Sequence, residues 1–268
     1  MTATDTVFAG SIPAIYDRYM VPLVFEPYAR LVAERAMQFR PRDILETAAG
    51  TGVVTEALHR AIPDAAIVAT DLNAPMLEQA ARRLEAPNVR FQPADAQHLP
   101  FKDASFDLVV CQFGVMFYPD KVRANAEAHR VLREGGRYVL VIWDCVEHNL
   151  ATMTAGRAVA DLFPMDAGRF YERVPFRYHD VGQIEQDLLS AGFTDIELET
   201  VELRSRAASA RDAAIALVQG TPMRSDIEAI DAGMLGTATD KAEQALRQFE
   251  GPDGFEAPMS ARLVTAIK

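Results

Sequence analysis

From Asp43 onward the chain alternates between two hydrophobic patterns. Short apolar runs, "DILET", "AAIVATD", "VRFQP", "FDLVVCQF" and "RYVLVIWD", read as strands. Between them, "VVTEALHRAI", "APMLEQAARRLE" and "KVRANAEAHRVLREGG" carry apolar residues at helical spacing. Pro63 closes the first of these helices, Asn73 and Pro75 open the second, and Gly135 and Gly136 end the third. Strands and helices in alternation predict a parallel sheet covered on both faces.

The pattern breaks after Asp144. The stretch "CVEHNLATMTAGRAVADLFPMDAGRFYERVPFRYH" mixes helical and aromatic loop character and reads as an insertion. The series resumes with a helix in "DVGQIEQDLLSAGF", where Asp180 and Gln183 have capping-box spacing, and a strand in "DIELETVELRS". A second departure holds two or three helices and the turn-rich "EGPDGFEAP", after which "SARLVTAIK" is a last strand. Ahead of the first strand, "SIPAIYDRYMVPLVFEPYARLVAERAMQF" is helical with a break expected at Pro22. The whole is therefore an α/β fold, a Rossmann-like, seven-stranded, mostly parallel sheet with helices on both faces. Residues 1–40 form an N-terminal helical cap, and residues 41–268 the main domain with lid insertions at about 145–180 and 207–257.

Composition narrows the function. Against 27 basic side chains stand 38 acidic ones, a formal charge of -11 that repels phosphate backbones, so nucleic-acid partners are not expected. The most apolar stretch, "LVVCQFGVMFY", is too short to span a bilayer, and "MTATDTVFAG" lacks the basic start of a secretory signal. A soluble cytoplasmic protein without integral membrane association follows. Cys111 and Cys145 are expected to be buried thiols, and no CxxC or HExxH spacing points to a metal.

In such sheets ligands bind at the carboxyl ends of the strands, where strand order reverses. The first strand ends in "ETAAGTG": Gly50 and Gly52 permit a tight turn and close approach, and the following helix points free N–H groups at a ligand. The second ends in Asp71, nineteen residues beyond Gly52, a spacing suited to a carboxylate on ribose hydroxyls. The third leads to Asp95, which can accept from an adenine amino group. Together these describe an adenosine site. A dinucleotide fingerprint would need glycine at Ala48 and a small residue at Val53, which disfavours a pyrophosphate. Glu46 at the head of the loop suits a ligand with an ammonium group and a sulfonium centre, which is S-adenosyl-L-methionine. Ala48 is tolerable here unless it must take a positive φ.

The segments "ILETAAGTG", "VATDLNAPML", "VRFQPADAQHLPF", "FDLVVCQFGVMFYPD" and "EAHRVLREGGRYVLVIWD" together resemble the class I S-adenosylmethionine-dependent methyltransferases, in the branch of the ubiquinone and menaquinone C-methyltransferases. The resemblance implies that Glu46, Ala48, Gly50 and Gly52 line the methionine and ribose part and that Asp71 binds the ribose. It further implies that Leu72 and Met76 pack on the adenine, that Asp95 and the Ala96 N–H read its edge, and that Gln112 and Phe113 flank the methionine. Tyr16 resembles the aromatic residue that closes over the cofactor.

Methyl transfer from a sulfonium is a displacement with a good leaving group, so alignment and water exclusion do most of the work, and a base is needed only for an acceptor that loses a proton. His148, shortly after "VLVIWD", is the first candidate base, with His179 and Tyr171 behind it; His59, His98 and His129 read as structural or solvated. Trp143 and Asp144 are expected to shape the pocket. Phe25, Phe163, Phe170, Tyr171, Phe176 and Tyr178 suggest a small apolar or aromatic methyl acceptor, such as a quinone, a phenol or a natural-product-like molecule. The alternatives are a nicotinamide-dependent oxidoreductase and a non-catalytic adenosylmethionine-binding protein.

Overall fold

Apolar runs bounded by turn residues become strands in eight places: β1 (Asp43–Thr47), β2 (Ala66–Asp71), β3 (Val89–Pro93), β4 (Phe106–Gln112), β5 (Leu132–Trp143), β6 (Thr194–Ala207), β7 (Glu250–Gly251) and β8 (Gly254–Ile267). The computed structural model describes Phe8, Gly10 to Phe163 and Arg169 to Lys268. The start of the predicted cap and residues 164–168 of the first predicted insertion lie outside the described residues.

The strands lie in the order β3-β2-β1-β4-β5-β8-β6, with β7 paired to β8 beside this path. β1 runs parallel to β2 and β4, β2 to β3, and β4 to β5, whereas β8 is antiparallel to β5. Chain order therefore reverses between β1 and β4, which puts a crevice at the carboxyl ends of those two strands. Ile44, Leu45, Leu108, Val109 and Val110 are fully buried, as expected of central parallel strands with both faces covered. The sheet has one strand more than the seven expected.

Three local expectations are corrected by the structure. The helix preceding β5 is Lys121–Val131, so "LREGG" is strand rather than helix end. Phe106 pairs with Leu132, the register then shifts, and Gly135 takes φ +73°. These glycines thus serve a bulge rather than a helix cap. The turn-rich "EGPDGFEAP" does turn, at Pro252 and Asp253, but its flanks are strand: Gly251 pairs with Gly254, which takes φ +101°, so the last strand starts six residues before "SARLVTAIK" and the hairpin supplies the eighth strand. Pro22 does not break the N-terminal helix. It sits inside a π-helical run, Tyr16–Phe25, which continues directly into the α-helix Glu26–Phe39. The wider register bonds one residue further back than the carbonyl that a proline ring strikes in an α-helix.

The chain forms two compact units. The sheet unit comprises Tyr28–Trp143, Tyr178–Val201 and Ala261–Lys268; the helical unit comprises the described residues of Met1–Pro27, Asp144–Arg177 and Glu202–Ser260. Within the helical unit, Leu235–Leu246 packs against Leu150–Ala160 and Ala210–Ala214. Small buried side chains at Ala151, Ala155, Ala238 and Ala242 let these helices approach closely. In the sheet unit, the predicted capping box forms by half. Asp180 Oδ1 accepts the Gln183 N–H at 2.8 Å, but the Gln183 side chain donates to Asp187 Oδ1 at 2.6 Å instead of returning to the cap.

Candidate functional site

Glu46 ends the buried stretch of β1 with 2% of its surface exposed, and the Thr55 hydroxyl from the next helix donates to its Oε2 at 2.6 Å. Burial pushes its pKa up to about 8; the Thr55 hydrogen bond opposes this and the nearby Asp71 adds to it. The loop after β1 carries three residues at positive φ: Ala48 at +54°, Gly50 at +55° and Gly52 at +82°. Gly52 is obligatory, because a Cβ there would lie 2.9 Å from the Ala80 Cβ. The condition set on Ala48 is therefore met: it takes the left-handed backbone at a cost of about 1–2 kcal/mol, a strain that glycine would not carry, while Gly50 and Gly52 keep the close approach.

Asp71 ends β2 with its carboxylate fixed from behind. Oδ2 accepts the Gly50 N–H at 2.9 Å and Oδ1 accepts the Asn73 N–H at 2.8 Å, which joins the glycine loop to the neighbouring strand end. Burial raises its pKa, against the lowering effect of the Asn73 and Gly50 hydrogen bonds. The next residue, Leu72, leaves 66% of its surface exposed, the most of any large hydrophobic side chain among the described residues, while Met76 is buried. Beyond β3, Asp95 Oδ1 accepts the Gln97 N–H at 2.8 Å and its other oxygen lies 3.5 Å from His98 Nδ1. Desolvation would raise the Asp95 pKa, but these hydrogen bonds lower it overall. Ala96 beside it is buried. His98, read from sequence as structural or solvated, therefore pairs with a candidate adenine ligand, and it also contacts Arg123.

Gln112 ends β4 and is buried. Phe113 follows at φ +55°, its N–H donating to the Val141 carbonyl at 2.8 Å. Its ring stacks on Trp143 at 3.8 Å between centroids and meets Tyr28 edge-on at 5.3 Å, a packed aromatic cluster at the end of β5. Beneath the glycine loop, the Tyr118 hydroxyl donates to Thr47 Oγ1 at 3.2 Å and lies 3.3 Å from Cys111 Sγ. Burial holds both the Tyr118 and the Cys111 protons on. A Cβ on Gly114 would lie 2.4 Å from the Ala48 Cβ, so the methyl at 48 occupies the space that a side chain at 114 would need.

The remaining predicted residues lie elsewhere. In the helical unit Tyr16 stacks on Phe25 at 5.0 Å. Tyr171 donates its hydroxyl to the Leu217 carbonyl at 2.6 Å, and burial raises its pKa, so it is no base near neutrality. Its ring packs between Phe170 and Phe176, and Phe163 is buried. In the sheet unit the Tyr178 hydroxyl donates to Asp187 Oδ2 at 2.8 Å and its ring carries Lys121 Nζ at 5.1 Å, so both ends of that side chain are engaged. Cys111 is buried as expected, but Cys145 is only partly so. His148 is 62% exposed, with Nδ1 2.8 Å from Oδ2 of the buried Asp144. His129 packs edge-on against Phe193.

Residues 44–136 match the family profile described as a methyltransferase domain. Demethylmenaquinone methyltransferase of Deinococcus radiodurans is 36% identical over 143 residues, covering 52% of this chain and 59% of that one. The Thermus thermophilus protein of the same name is 40% identical over 116 residues, 42% of this chain and 53% of that one. UbiE of Hahella chejuensis is 39% identical over 103 residues, 37% and 41% of the two chains. Residues 44–136 thus resemble a methyltransferase domain, and the likeness to these relatives covers at most 52% of the chain. The chain spans between about half and three-fifths of the length of the first two relatives. The fold is shared more widely. Bacillus subtilis YcgJ superimposes with a TM-score of 0.59 at 21% identity, over 90% of this chain and 98% of that one. The [4+2]-cyclase SpnF gives 0.56 at 20% identity, over 91% and 81%.

Two features of these residues fit S-adenosyl-L-methionine, the cofactor that the resemblance implies. Glu46 is a buried carboxyl whose charge is costly until a cation, such as the cofactor's ammonium group, is brought to it. Leu72 offers exposed apolar surface directly after the ribose candidate Asp71, where an adenine ring needs a face to lie on. Sequence reasoning missed Thr55 and Tyr118, whose hydroxyls donate to Glu46 and Thr47 at the head of the loop, and Gly114, whose missing side chain leaves room for the Ala48 methyl. It also missed Asp144 as the partner of His148. Gly114 and Tyr118 stand within the segment quoted for the resemblance, but only contact geometry distinguishes them from packing residues.

Proposed function

We propose that the chain transfers a methyl group from S-adenosyl-L-methionine to a small apolar or aromatic acceptor of the quinone, phenol or natural-product class, as a soluble cytoplasmic enzyme with no nucleic-acid substrate. The observation that carries this reading is the linked trio of Glu46, the left-handed glycine loop and Asp71, tied together by the Gly50 N–H on the Asp71 carboxylate. When bound, the cofactor supplies an electrophilic methyl on a sulfonium and a neutral thioether as leaving group. The protein's own share is positional. Asp71 accepts from the ribose hydroxyls, Leu72 and Met76 lie along the adenine, and Asp95 with the Ala96 N–H reads its edge. Glu46 faces the ammonium group, with Ala48, Gly50, Gly52, Gln112 and Phe113 around the methionine. Trp143, at the end of β5, contributes apolar surface toward the acceptor.

The names of the relatives favour a quinone-type acceptor. The SpnF likeness shows that the fold alone does not select methyl transfer. The deciding experiment is a methyl-transfer screen against quinols, phenols, amines and fatty acids, with the product's mass and methylation site read out. Transfer to a phenol or quinol is the expected result. Tight cofactor binding without transfer to any class would instead favour a non-catalytic binding protein.

A further inference from the structure

Asp144 immediately follows β5, and the 3-10 turn Val146–His148 folds the chain back so that residues four apart meet. His148 Nδ1 lies 2.8 Å from Asp144 Oδ2, and the Cys145 thiol stands beside them. One donor atom from each of Asp144, Cys145 and His148 lies within 4.8 Å of the other two, the only such trio of histidine, cysteine and carboxylate side chains among the described residues. All three belong to the helical unit. Their spacing, D-C-x-x-H, is neither CxxC nor HExxH, and it is the turn that gathers the donors.

The setting differs from that of a surface cluster. Only 2% of the Asp144 side chain is exposed, and its carboxylate is fixed from behind. Oδ1 accepts the Cys145 N–H at 2.8 Å, and Oδ2 accepts the Ser260 hydroxyl at 2.9 Å. Asn149 then locks the turn. Its Nδ2 donates to the carbonyls of Cys145 and Ser260, both at 3.1 Å, and the Ser260 N–H donates back to its Oδ1 at 3.1 Å. Outer hydrogen bonds of this kind orient a metal ligand and hold it through binding. The other side is open, since His148 is 62% exposed and Cys145 is only partly buried. Ring and thiol can therefore swing to metal-bonding distances of about 2.0–2.1 Å for nitrogen and 2.3 Å for sulfur while the frame stays in place. Local charge also favours a cation, because the Asp144 and Glu147 carboxylates both act on the thiol.

We propose that Asp144, Cys145 and His148 form a site for a divalent transition metal of the zinc class, with three protein ligands and a water in the fourth position. The donor set selects the ion. Thiolate and imidazole suit Zn²⁺, whereas Ca²⁺ and Mg²⁺ take oxygen ligands. In binding, the metal–sulfur bond forms as the thiol proton leaves to solvent. The neutral His148 ring carries its proton on Nε2 and bonds the metal through Nδ1, and Asp144 bonds it through Oδ2, still accepting from Ser260. No electron is transferred. The ion braces the turn after β5 and leaves its fourth position open to a further ligand. This site stands apart from the methyl-transfer reading and does not depend on it.

The test titrates the full chain with Zn²⁺ against a chromophoric chelator and, separately, with Co²⁺, whose visible and near-ultraviolet absorption reports tetrahedral thiolate ligation. One equivalent bound, with a Co²⁺–thiolate band, is the expected result. Cys145→Ser and His148→Ala should each weaken Zn²⁺ by more than the roughly 10–100-fold that loss of an outer partner costs, and Ser260→Ala by about 10-fold. Cys111→Ser, in the sheet unit, should leave the affinity unchanged. Zn²⁺ should raise the Tm of the wild type and not that of His148→Ala. Both ligand variants alter side chains on the open face, so they remain informative if Asp144→Asn fails to fold. Absence of binding at micromolar Zn²⁺, or an affinity that neither Cys145→Ser nor His148→Ala lowers, overturns the site. Equal competition by Ca²⁺ or Mg²⁺ overturns the metal class.

Discussion

The strand ends of the sheet unit and the packed interior of the helical unit treat their polar side chains differently. In the sheet unit, groups at strand ends are held from behind: Thr55 steadies Glu46, and the Gly50 and Asn73 N–H groups steady Asp71. In the helical unit, polar tips close on their neighbours. Tyr171 meets the Leu217 carbonyl, Arg173 pairs with Asp226, and Gln219 donates to Thr239. The aromatic and charged residues of both units are similar in kind. What separates a candidate ligand-binding group from a packing group is its place in the fold, at the carboxyl end of a parallel strand where order reverses. His148 is the exception in the helical unit, for it is supported by a buried carboxylate and remains exposed.

The sharpest way to break this contrast is Asp71→Ala. It should weaken S-adenosylmethionine binding by on the order of 100-fold in calorimetry, because charge-assisted hydrogen bonds are lost and the Gly50 N–H is released. Wild-type affinity would sink the ribose assignment. Next is pH. With its pKa raised to about 8, Glu46 is protonated in the free protein at neutrality, so bringing an ammonium group to it expels a proton. Affinity should rise with pH, approaching tenfold per unit, and level off above about 8; Glu46→Gln should flatten the profile. The same shift has a stability consequence. Folding holds a proton that the unfolded carboxyl releases above its ordinary value of 4.5, so this contribution is full at acid pH and is lost as pH rises through about 8.

Gly114→Ala should cost about 1–3 kcal/mol in urea unfolding, since its Cβ meets the Ala48 methyl and Cys111 Sγ, at 2.4 and 2.9 Å. Tyr171→Phe should cost about 1 kcal/mol by leaving the Leu217 carbonyl without this donor, and should not alter cofactor affinity. An affinity loss as large as that of Asp71→Ala would erase the distinction between the units. The smallest effect is expected for Ala48→Gly, a change within about 1 kcal/mol, because relief of the left-handed backbone is offset by the greater freedom of glycine in the unfolded chain.

The sheet unit was readable because its signals are local. Apolar runs of strand length, glycines at a turn and an acidic residue at a strand end sit close together in the chain, so β1 and β3 take the boundaries that the pattern predicts. The errors have physical causes. Gly135 and Gly136 carry the same signal at a helix end and at a bulge, and only pairing with β4 decides between them. Pro22 signals a helix break unless the register widens, which depends on packing. The candidate site was legible at Glu46, Gly50, Gly52 and Asp71 but not at Asp144, whose partner Ser260 lies 116 residues away. Aromatic residues of the first insertion were equally visible but ambiguous, since a ring that lines a pocket and one that fills a core have the same composition. Tyr171 illustrates the second case.

The methyl of Ala48 and the bare α-carbon of Gly114 share one space. Position 48 can lose its methyl alone, but a side chain at 114 meets both that methyl and Cys111 Sγ, so it is better accommodated after 48 has become glycine. The reverse change at 48 is then blocked for as long as 114 keeps its side chain. A single methyl group thus couples two positions that lie 66 residues apart in the chain, and each is best varied together with the other.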